Sequence, residues 1–287
     1  MTPEELVEFF RQRGSDVVRT ASSWWYEEQR GTRVYYSFPA HRLIDPRPTE
    51  ISEVFRLLPR AMAIRFLTPD TTRHSRTSIW LRRAPYNLSV LTSKARNQAR
   101  RGLEACQVRK LDWRELIENA RAAHADTMNR RGAEDNSSLG IGPDLAACPA
   151  YEAWGAFISG NLAAYAVTVT VDDWAHILLQ RSVSANLKAR PNNALIFTLT
   201  AGMLARPDIS TVSYGLDPLA ALDSLDHFKA GMGFVKETVG HRIVLAPRFR
   251  PVVNRVTIKP LIALAELMPN NARLQKIAGF CSVASYQ

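Results

Sequence analysis

Thr211-Val-Ser-Tyr-Gly215 is a short run of β-branched and aromatic residues, and it predicts a strand. After a loop, Ser224-Leu-Asp-His-Phe-Lys229 has helical spacing, and Gly231-Met-Gly233-Phe234 closes that helix. Residues 235–245 are again strand-like, and the apolar stretch at 193–205 predicts a helix buried on most sides. This alternation of strands and helices predicts a mixed α/β fold.

The segment before the apolar helix carries three cations, Arg181, Lys188 and Arg190, within ten residues. It leads from a strand through a loop to a helix start, with Asn192 or Asn193 as the expected cap. The first N–H groups of a helix lack intrahelical partners and carry partial positive charge, which suits a phosphate. The segment therefore predicts a pyrophosphate site; the alternative is a capped core helix with solvated basic neighbours.

The composition is that of a globular protein. With 287 residues, 46% hydrophobic and 22% charged, the chain is expected to form one large or two small domains. No apolar run reaches the roughly 18–20 residues that span a bilayer, and the first residues lack the layout of a secretory signal. Three widely spaced cysteines favour reduced thiols in a cytoplasmic protein, and no residues have metal-ligand spacing, so no metal is expected.

The chain is strongly basic. It has 37 Lys and Arg against 27 Asp and Glu, a formal charge of +10. Such a surplus attracts polyanions. Coenzyme A, transfer RNA, other nucleic acid and an anionic lipid surface all fit, as does a merely solvated basic surface.

We expect a small N-terminal α+β lobe at 1–85, a main domain at 86–250 and a helical appendage at 251–287. In the lobe, a helix is predicted at 3–13 and strands at 16–20, 33–38, 62–67 and 78–82. The main domain is predicted to contain a helix at 92–105 with a basic face, a strand at 107–111, a helix from 112 to about 130, a loop at 131–149, a short helix at 151–157, and a hairpin of strands 162–171 and 175–182. The appendage is predicted to contain helices at 258–268 and 271–279.

Three motifs follow one another along the chain: Lys94-Ala-Arg96-Asn-Gln-Ala-Arg100-Arg101, Gly160-Asn-Leu-Ala-Ala164 and Phe228-Lys229-x-x-x-Gly233-Phe234. In this order they resemble the Lys/Arg-x-Arg-Asn-x-x-Arg segment, the Gly-x-Leu/Ile-Ala-Ala hairpin and the Phe-Lys-x-x-Phe-Gly ending of Fem-type proteins. These form a branch of the GNAT-fold acyltransferases that includes aminoacyl-tRNA-dependent peptidyltransferases. The resemblance spans about residues 90–246. It implies a mixed, mainly antiparallel sheet flanked by helices, with residues 1–85 as a reduced second half.

The resemblance also implies a donor site and catalytic residues. It implies acyl-coenzyme A as the donor, held at Arg181, Ser182, Val183, Lys188, Arg190, Asn192, Asn193 and Ala194, with a backbone N–H near 181–183 polarising the acyl carbonyl. The glycines of the usual GNAT phosphate loop are missing here, which weakens this expectation. Lys229 stands where many GNAT enzymes have a tyrosine, and it would stabilise negative charge.

The positions of further residues on the predicted strands make them candidate site residues. Tyr214 and Asp217 lie at the carboxyl end of a strand, where α/β sheets tend to bind ligands, and are catalytic candidates. Tyr214 could equally be a core aromatic residue, and Asp217 a turn residue. The substrate-binding candidates are Glu152, Tyr165, His176 and Phe228.

Three functions follow. The first is transfer of an acyl group from acyl-coenzyme A to a small-molecule or peptide amine. The second is a Fem-type transfer that uses aminoacyl-tRNA, favoured by the net charge and the missing glycines. The third is a non-catalytic module that binds RNA or an anionic membrane, with peripheral membrane contact through the C-terminal helices.

Overall fold

The computed structural model describes residues 1–28, 31–72, 75–130, 143–217, 223–254, 256–268 and 271–285. Contacts divide the chain into two compact units. The central unit comprises Met1, 79–216 and 222–237, and the terminal unit comprises 2–78, 217–221 and 238–287.

The secondary structure alternates strands and helices along the chain. The strands are β1 (Val17–Arg19), β2 (Trp24–Glu27), β3 (Val34–Phe38), β4 (Ala63–Thr68), β5 (Ser75–Arg83), β6 (Gln107–Leu111), β7 (Tyr151–Ile158), β8 (Asn161–Val171), β9 (Trp174–Ser182), β10 (Thr211–Leu216) and β11 (Val235–Leu245). The helices are α1 (Pro3–Gln12), α2 (Pro48–Leu57), α3 (Ser93–Ala105), α4 (Trp113–Arg130), α5 (Pro191–Leu204), α6 (Asp223–Gly231), α7 (Lys259–Leu267) and α8 (Ala272–Ala284). Among the described residues, no helix is both long and apolar enough to cross a bilayer.

The sheet of the central unit has the order β5-β10-β9-β8-β7-β6. Its pairs are antiparallel except β9 with β10, which run parallel. The parallel pairing covers only Trp174–His176 against Thr211–Ser213. Beyond these residues β9 and β10 are no longer paired, so a gap opens in the sheet toward their carboxyl ends. A bulge in β9 lies within this unpaired stretch, because the register with β8 shifts between Val167 and Thr168.

Helices cover both faces of this sheet. α5 is apolar on all sides because it packs between the sheet and α3. Leu195, Ile196, Leu199 and Met203 of α5 are fully buried, and each contributes roughly 1.5–3 kcal/mol of hydrophobic stabilisation. On the opposite face, α4 packs against β8 and β9.

The terminal unit has its own hydrophobic core. The strand order is β1-β2-β3-β4-β11, and β3 and β4 run parallel while the other pairs are antiparallel. One face packs on α2, where the Trp25 ring meets Phe66 edge-on with centroids 5.8 Å apart. The other face is covered in part by α8, through residues that include Phe280 and Ala284.

The mixed, mainly antiparallel α+β fold predicted from the sequence is confirmed. The strands at 107–111 and 235–245 and the hairpin at 162–182 lie where they were expected. Two elements, β2 and α2, were not predicted. Residues 131–142 of the predicted loop lie outside the described residues, and Pro143–Ala147 form a 3-10 helix.

The short helix predicted at 151–157 is wrong, because these residues form strand β7. β7 pairs with β6 on one side and β8 on the other, and Ala153 to Phe157 are buried. A strand buried on both faces has no alternation of polar and apolar residues, so its pattern does not distinguish it from a buried helix.

Candidate active site

A fully buried lysine lies at the end of α6. Lys229 is 2% exposed, and its Nζ lies 5.6 Å from the Trp80 ring centroid and 5.3 Å from that of Tyr214. Trp80 comes from β5 and Tyr214 from β10, so two paired strands supply aromatic faces to one ammonium group. An aromatic face attracts a cation, which holds Lys229 in place.

The turn after α6 fixes the position of Lys229. The Phe234 N–H donates to the Lys229 carbonyl over 3.1 Å, and Gly233 has a φ of +82° that favours glycine. A Cβ at Gly233 would lie 3.1 Å from the Val90 carbonyl oxygen. Glycine is therefore needed here for both conformation and space. The turn also brings the Phe234 ring edge-on to Tyr214, with centroids 5.3 Å apart.

A chain of hydrogen bonds leads from Tyr214 to the start of α5. The Tyr214 hydroxyl donates to Gln180 Oε1, and Gln180 Nε2 donates to Asn192 Oδ1 over 2.9 Å. Asn192 Nδ2 then donates to Ser182 Oγ over 3.2 Å. Gln180 and Tyr214 lie beyond the point where β9 and β10 part. These hydrogen bonds therefore connect the aromatic residues around Lys229 to the start of α5, across the gap in the sheet.

Arg130, the last residue of α4, extends this series of hydrogen bonds. Its guanidinium donates to Ser182 Oγ over 3.0 Å and to the Ser182 carbonyl over 3.1 Å, and it pairs with Asp126 at 3.1 Å. Hydrogen bonds from the Ser184 N–H and hydroxyl, and then the charge of Arg130, lower the pKa of Asp126. A cation is thus held firmly at the end of β9, close to the start of α5.

The first turn of α5 is packed on its α3 side. Arg190 is the N-terminal cap in the left-handed conformation, with φ 62° and ψ 38° and no side-chain capping bond, so the predicted asparagine cap is wrong. Asn193 is buried, and its Nδ2 donates to Gln98 Oε1 over 3.4 Å. A Cβ at Gly102 of α3 would lie 2.6 Å from the Arg190 carbonyl oxygen. Asn192 stays partly exposed, so the open side of this turn faces away from α3.

Several predicted site residues come together in the central unit. Lys229, Tyr214 and Phe228 form one aromatic cluster, in which the Phe228 and Tyr214 ring centroids lie 6.4 Å apart. Asn192 and Ser182 belong to the hydrogen-bond chain. Around the helix start, Arg190 is half-buried, Ala194 is fully buried and Lys188 is exposed.

The predicted backbone donors at 181–183 are engaged within the protein. The Ser182 N–H donates to Thr127 Oγ1 over 3.0 Å, and the Val183 N–H donates to the Ala163 carbonyl over 2.9 Å. The Arg181 guanidinium donates to the carbonyl of the preceding residue over 2.9 Å. The expected polarising N–H near 181–183 is therefore not provided by Ser182 or Val183.

Other predicted residues lie apart from this cluster. Asp217 belongs to the terminal unit, where its N–H donates to the Ser78 carbonyl over 2.8 Å. Glu152 forms ion pairs of 2.8 Å with both Arg206 and Lys110. His176 stacks on its neighbour Trp174, with ring centroids 5.9 Å apart.

Tyr165 is fully buried on the α4 side of the sheet, since the neighbouring Ala164 and Ala166 pack with α5. Burial raises its pKa to about 12. Its hydroxyl has no hydrogen-bond partner among the described residues.

Sequence reasoning missed three residues of the cluster: Trp80, Gln180 and Arg130. Gln180 carried a signal, because a polar residue near the end of a strand that precedes a helix start lies where the sheet meets that helix. Trp80 and Arg130 carried none, since only tertiary packing brings them to this place. Among the described residues, no three His, Cys, Asp or Glu side chains form a group that could hold a metal ion.

No protein-family model matches the sequence, and no curated protein matches it. Solved structures do match by fold. FemX aligns over 86% of this chain and 93% of its own, with a TM-score of 0.59 at 10% identity. L-PGS from Bacillus licheniformis aligns over 84% of this chain and 90% of its own, with a TM-score of 0.54 at 14% identity.

A C-terminal domain (DUF2156) attributed to a lysylphosphatidylglycerol synthetase of Agrobacterium fabrum aligns over 81% of this chain and 85% of its own, with a TM-score of 0.55 at 11% identity. At these identities the likeness concerns the fold. The chain has a GNAT-like fold of the kind found in Fem-type proteins, as the three sequence motifs predicted.

Proposed function

We propose that this protein is an acyltransferase that moves an acyl group from an activated carrier directly to an amine. The observation that carries the proposal is the burial of Lys229 between two aromatic rings, next to the gap where β9 and β10 part. Burying an ammonium group costs desolvation free energy. Its presence beside a gap in the sheet fits a site where negative charge develops.

In direct transfer, the amine nitrogen attacks the acyl carbonyl carbon and forms a C–N bond. The bond from that carbon to the carrier then breaks, the carrier leaves with the electron pair, and the proton that the nitrogen loses ends on the leaving atom of the carrier. Negative charge develops on the carbonyl oxygen and on the leaving atom. We assign Lys229 to stabilise this charge, because a fixed cation acts strongly where water is excluded. Tyr214, held by Gln180, keeps the ammonium group in position.

A second contribution is proposed for the bulge in β9. The register shift leaves Leu178 as the extra residue between Ile177 and Leu179, which pair with consecutive residues of β8. Bulges redirect backbone groups and are common beside active sites. Since the N–H groups of Ser182 and Val183 are engaged, we place carbonyl polarisation at this bulge instead.

Acyl-coenzyme A is the first candidate donor. Asn192 lies partly exposed in the first turn of α5, and Arg130 is held near it through Ser182. A helix start with an adjacent arginine suits the diphosphate of such a carrier. The acyl end of the carrier would then extend along the gap toward Lys229.

Aminoacyl-tRNA is the second candidate, favoured by the packing of that same turn. Gly102 packs against the Arg190 carbonyl, and Asn193 and Ala194 are buried, so fewer backbone groups are open to a diphosphate. The outer face of α3 presents Lys94, Arg100 and Arg101 to solvent. These cations suit a nucleic-acid backbone, whose binding weakens steeply with salt.

Two matched variants test the catalytic proposal. Lys229→Met removes the buried ammonium group, and Lys236→Met removes a second lysine whose Nζ lies 4.9 Å from the same Trp80 ring but which is partly exposed and paired with Asp226. We expect Lys229→Met to lower transfer about 10²–10³-fold and Lys236→Met to leave it nearly unchanged. Transfer is measured as thiol release from acetyl-coenzyme A, or as loss of label from aminoacyl-tRNA, with a panel of amines.

Thermal stabilisation identifies the carrier. A rise in the melting temperature with coenzyme A supports the first donor. A rise only with transfer RNA, lost at high salt, supports the second. If neither carrier stabilises the protein and Lys229→Met behaves like Lys236→Met, the acyltransferase proposal is wrong and a non-catalytic binding role takes its place.

A further inference from the structure

Exposed aliphatic side chains are concentrated near the C-terminus. Among the described residues, twelve large hydrophobic side chains are exposed, and six of them lie between residues 252 and 277. Leu267 is 80% exposed and Val256 is 73% exposed. The full set is Val252, Val256, Leu264, Leu267, Met268 and Ile277. Scattered apolar residues on a surface are ordinary, whereas a concentration of them marks an interaction site.

α7 has two apolar faces. Ile258, Ile262 and Ala265 recur at helical spacing and face inward, with Ile258 and Ala265 buried. Leu264, Leu267 and Met268 have the same spacing on another side of the helix and are exposed. One apolar face suffices to pack a helix on its own unit. The second face is therefore available to another surface.

The charge of this segment indicates which kind of partner the exposed face of α7 would bind. Residues 251–287 contain four cations, Arg255, Lys259, Arg273 and Lys276, and a single acid, Glu266. Lys259 and Lys276 are exposed. Aliphatic side chains together with cations suit the boundary between lipid headgroups and acyl chains, with the cations near anionic headgroups. A nucleic acid would use the cations but leave the leucines in water.

We propose that α7, with the flanking residues Val252, Val256 and Met268, is a docking surface for an anionic lipid bilayer. The exposed face of α7 enters the headgroup region, and Lys259 and Lys276 remain near the lipid phosphates. This role goes beyond acyl transfer and does not depend on the Lys229 site. It would place the protein at a membrane surface.

Flotation with lipid vesicles tests the proposal on the full chain. We expect binding to vesicles of phosphatidylcholine mixed with phosphatidylglycerol, and much weaker binding to phosphatidylcholine alone. The double variant Leu264→Ser/Leu267→Ser should lower the partition coefficient more than about ten-fold. Its matched control is Leu43→Ser/Leu57→Ser, which changes two other exposed leucines of the same unit and should bind like the parent chain.

A second pair of variants tests the charges. Lys259→Gln/Lys276→Gln should weaken binding about five-fold for each cation removed, and the effect should shrink as added salt shortens the screening length from about 10 Å to about 3 Å. Arg47→Gln/Arg60→Gln removes the same charge from exposed sites elsewhere in the unit. It should weaken binding far less.

The outcomes separate this proposal from the proposed function. Lys229→Met should bind vesicles like the parent chain, so a failure of acyl transfer leaves vesicle binding intact. Equal loss in the α7 variants and their controls overturns the proposal. The proposal is also overturned if the parent chain does not bind vesicles and Leu264→Ser/Leu267→Ser changes the oligomeric state, measured by light scattering. The surface would then bind a second copy of the chain.

Discussion

Gly102→Ala tests how closely α3 packs on the start of α5. The added Cβ would lie 2.6 Å from the Arg190 carbonyl oxygen, 3.0 Å from the Ala194 Cβ and 3.2 Å from the Ala194 nitrogen. All three atoms belong to the backbone or are fixed to it, so no side-chain rotation relieves the overlap. To reach an ordinary contact of about 3.4 Å, the two helices must separate by roughly 0.8 Å.

Two opposing effects determine how much Gly102→Ala changes the free energy of unfolding. Alanine stabilises a helix interior by about 1 kcal/mol relative to glycine, whereas forcing an extra methyl group into a packed interface costs about 1–3 kcal/mol. We therefore expect net destabilisation of up to about 2 kcal/mol. Gly202→Ala in α5 is the matched control, because its Cβ would lie 3.3 Å from the tip of the Trp154 ring, a side chain that can adjust.

Urea unfolding of both variants measures the difference. Gly202→Ala should be at least as stable as the parent chain, and Gly102→Ala should be less stable by about 1–3 kcal/mol relative to that control. Gly102→Ala should also lose thermal stabilisation by the carrier, because the start of α5 is displaced. If Gly102→Ala is as stable as Gly202→Ala, the close contact inferred between α3 and α5 does not exist.

Three further predictions concern other sites. Burial, and then the charge of Arg65, lowers the pKa of His241 to about 3, so the folded protein keeps it neutral while the unfolded chain takes up a proton below pH 6.5. As the pH is lowered below about 6.5, the free energy of unfolding should therefore decrease by up to about 1.4 kcal/mol per pH unit. In His241→Gln, the free energy of unfolding measured with urea should lack this part of the pH dependence. Tyr165→Phe should raise the melting temperature or leave it unchanged, because its hydroxyl has no partner among the described residues; a loss above about 1 kcal/mol would reveal an undetected hydrogen bond. Gly233→Ala should destabilise by at least about 1 kcal/mol through its positive φ and its contact with Val90, and an unchanged urea midpoint would disprove that strain.

The order and type of most elements could be predicted from the sequence because they depend on local pattern. The all-round apolar stretch of α5, the turn at Gly233 and the hairpin at 162–182 depend on neighbours within a few residues. Lys229 could be singled out for the same reason, since its motif is local. The failures also have a local cause: β7 is buried on both faces and so loses the alternation that marks a strand.

Only tertiary structure decided which residues surround Lys229. Trp80 lies about 150 positions earlier in the chain and reaches the lysine because β5 pairs with β10. β11 pairs with β4, although the residues that this pairing joins are far apart in sequence. The boundaries predicted from the sequence follow chain order, whereas packing groups segments that are distant along the chain. The physical reason is that burial of apolar surface depends on position in space and not on separation along the chain.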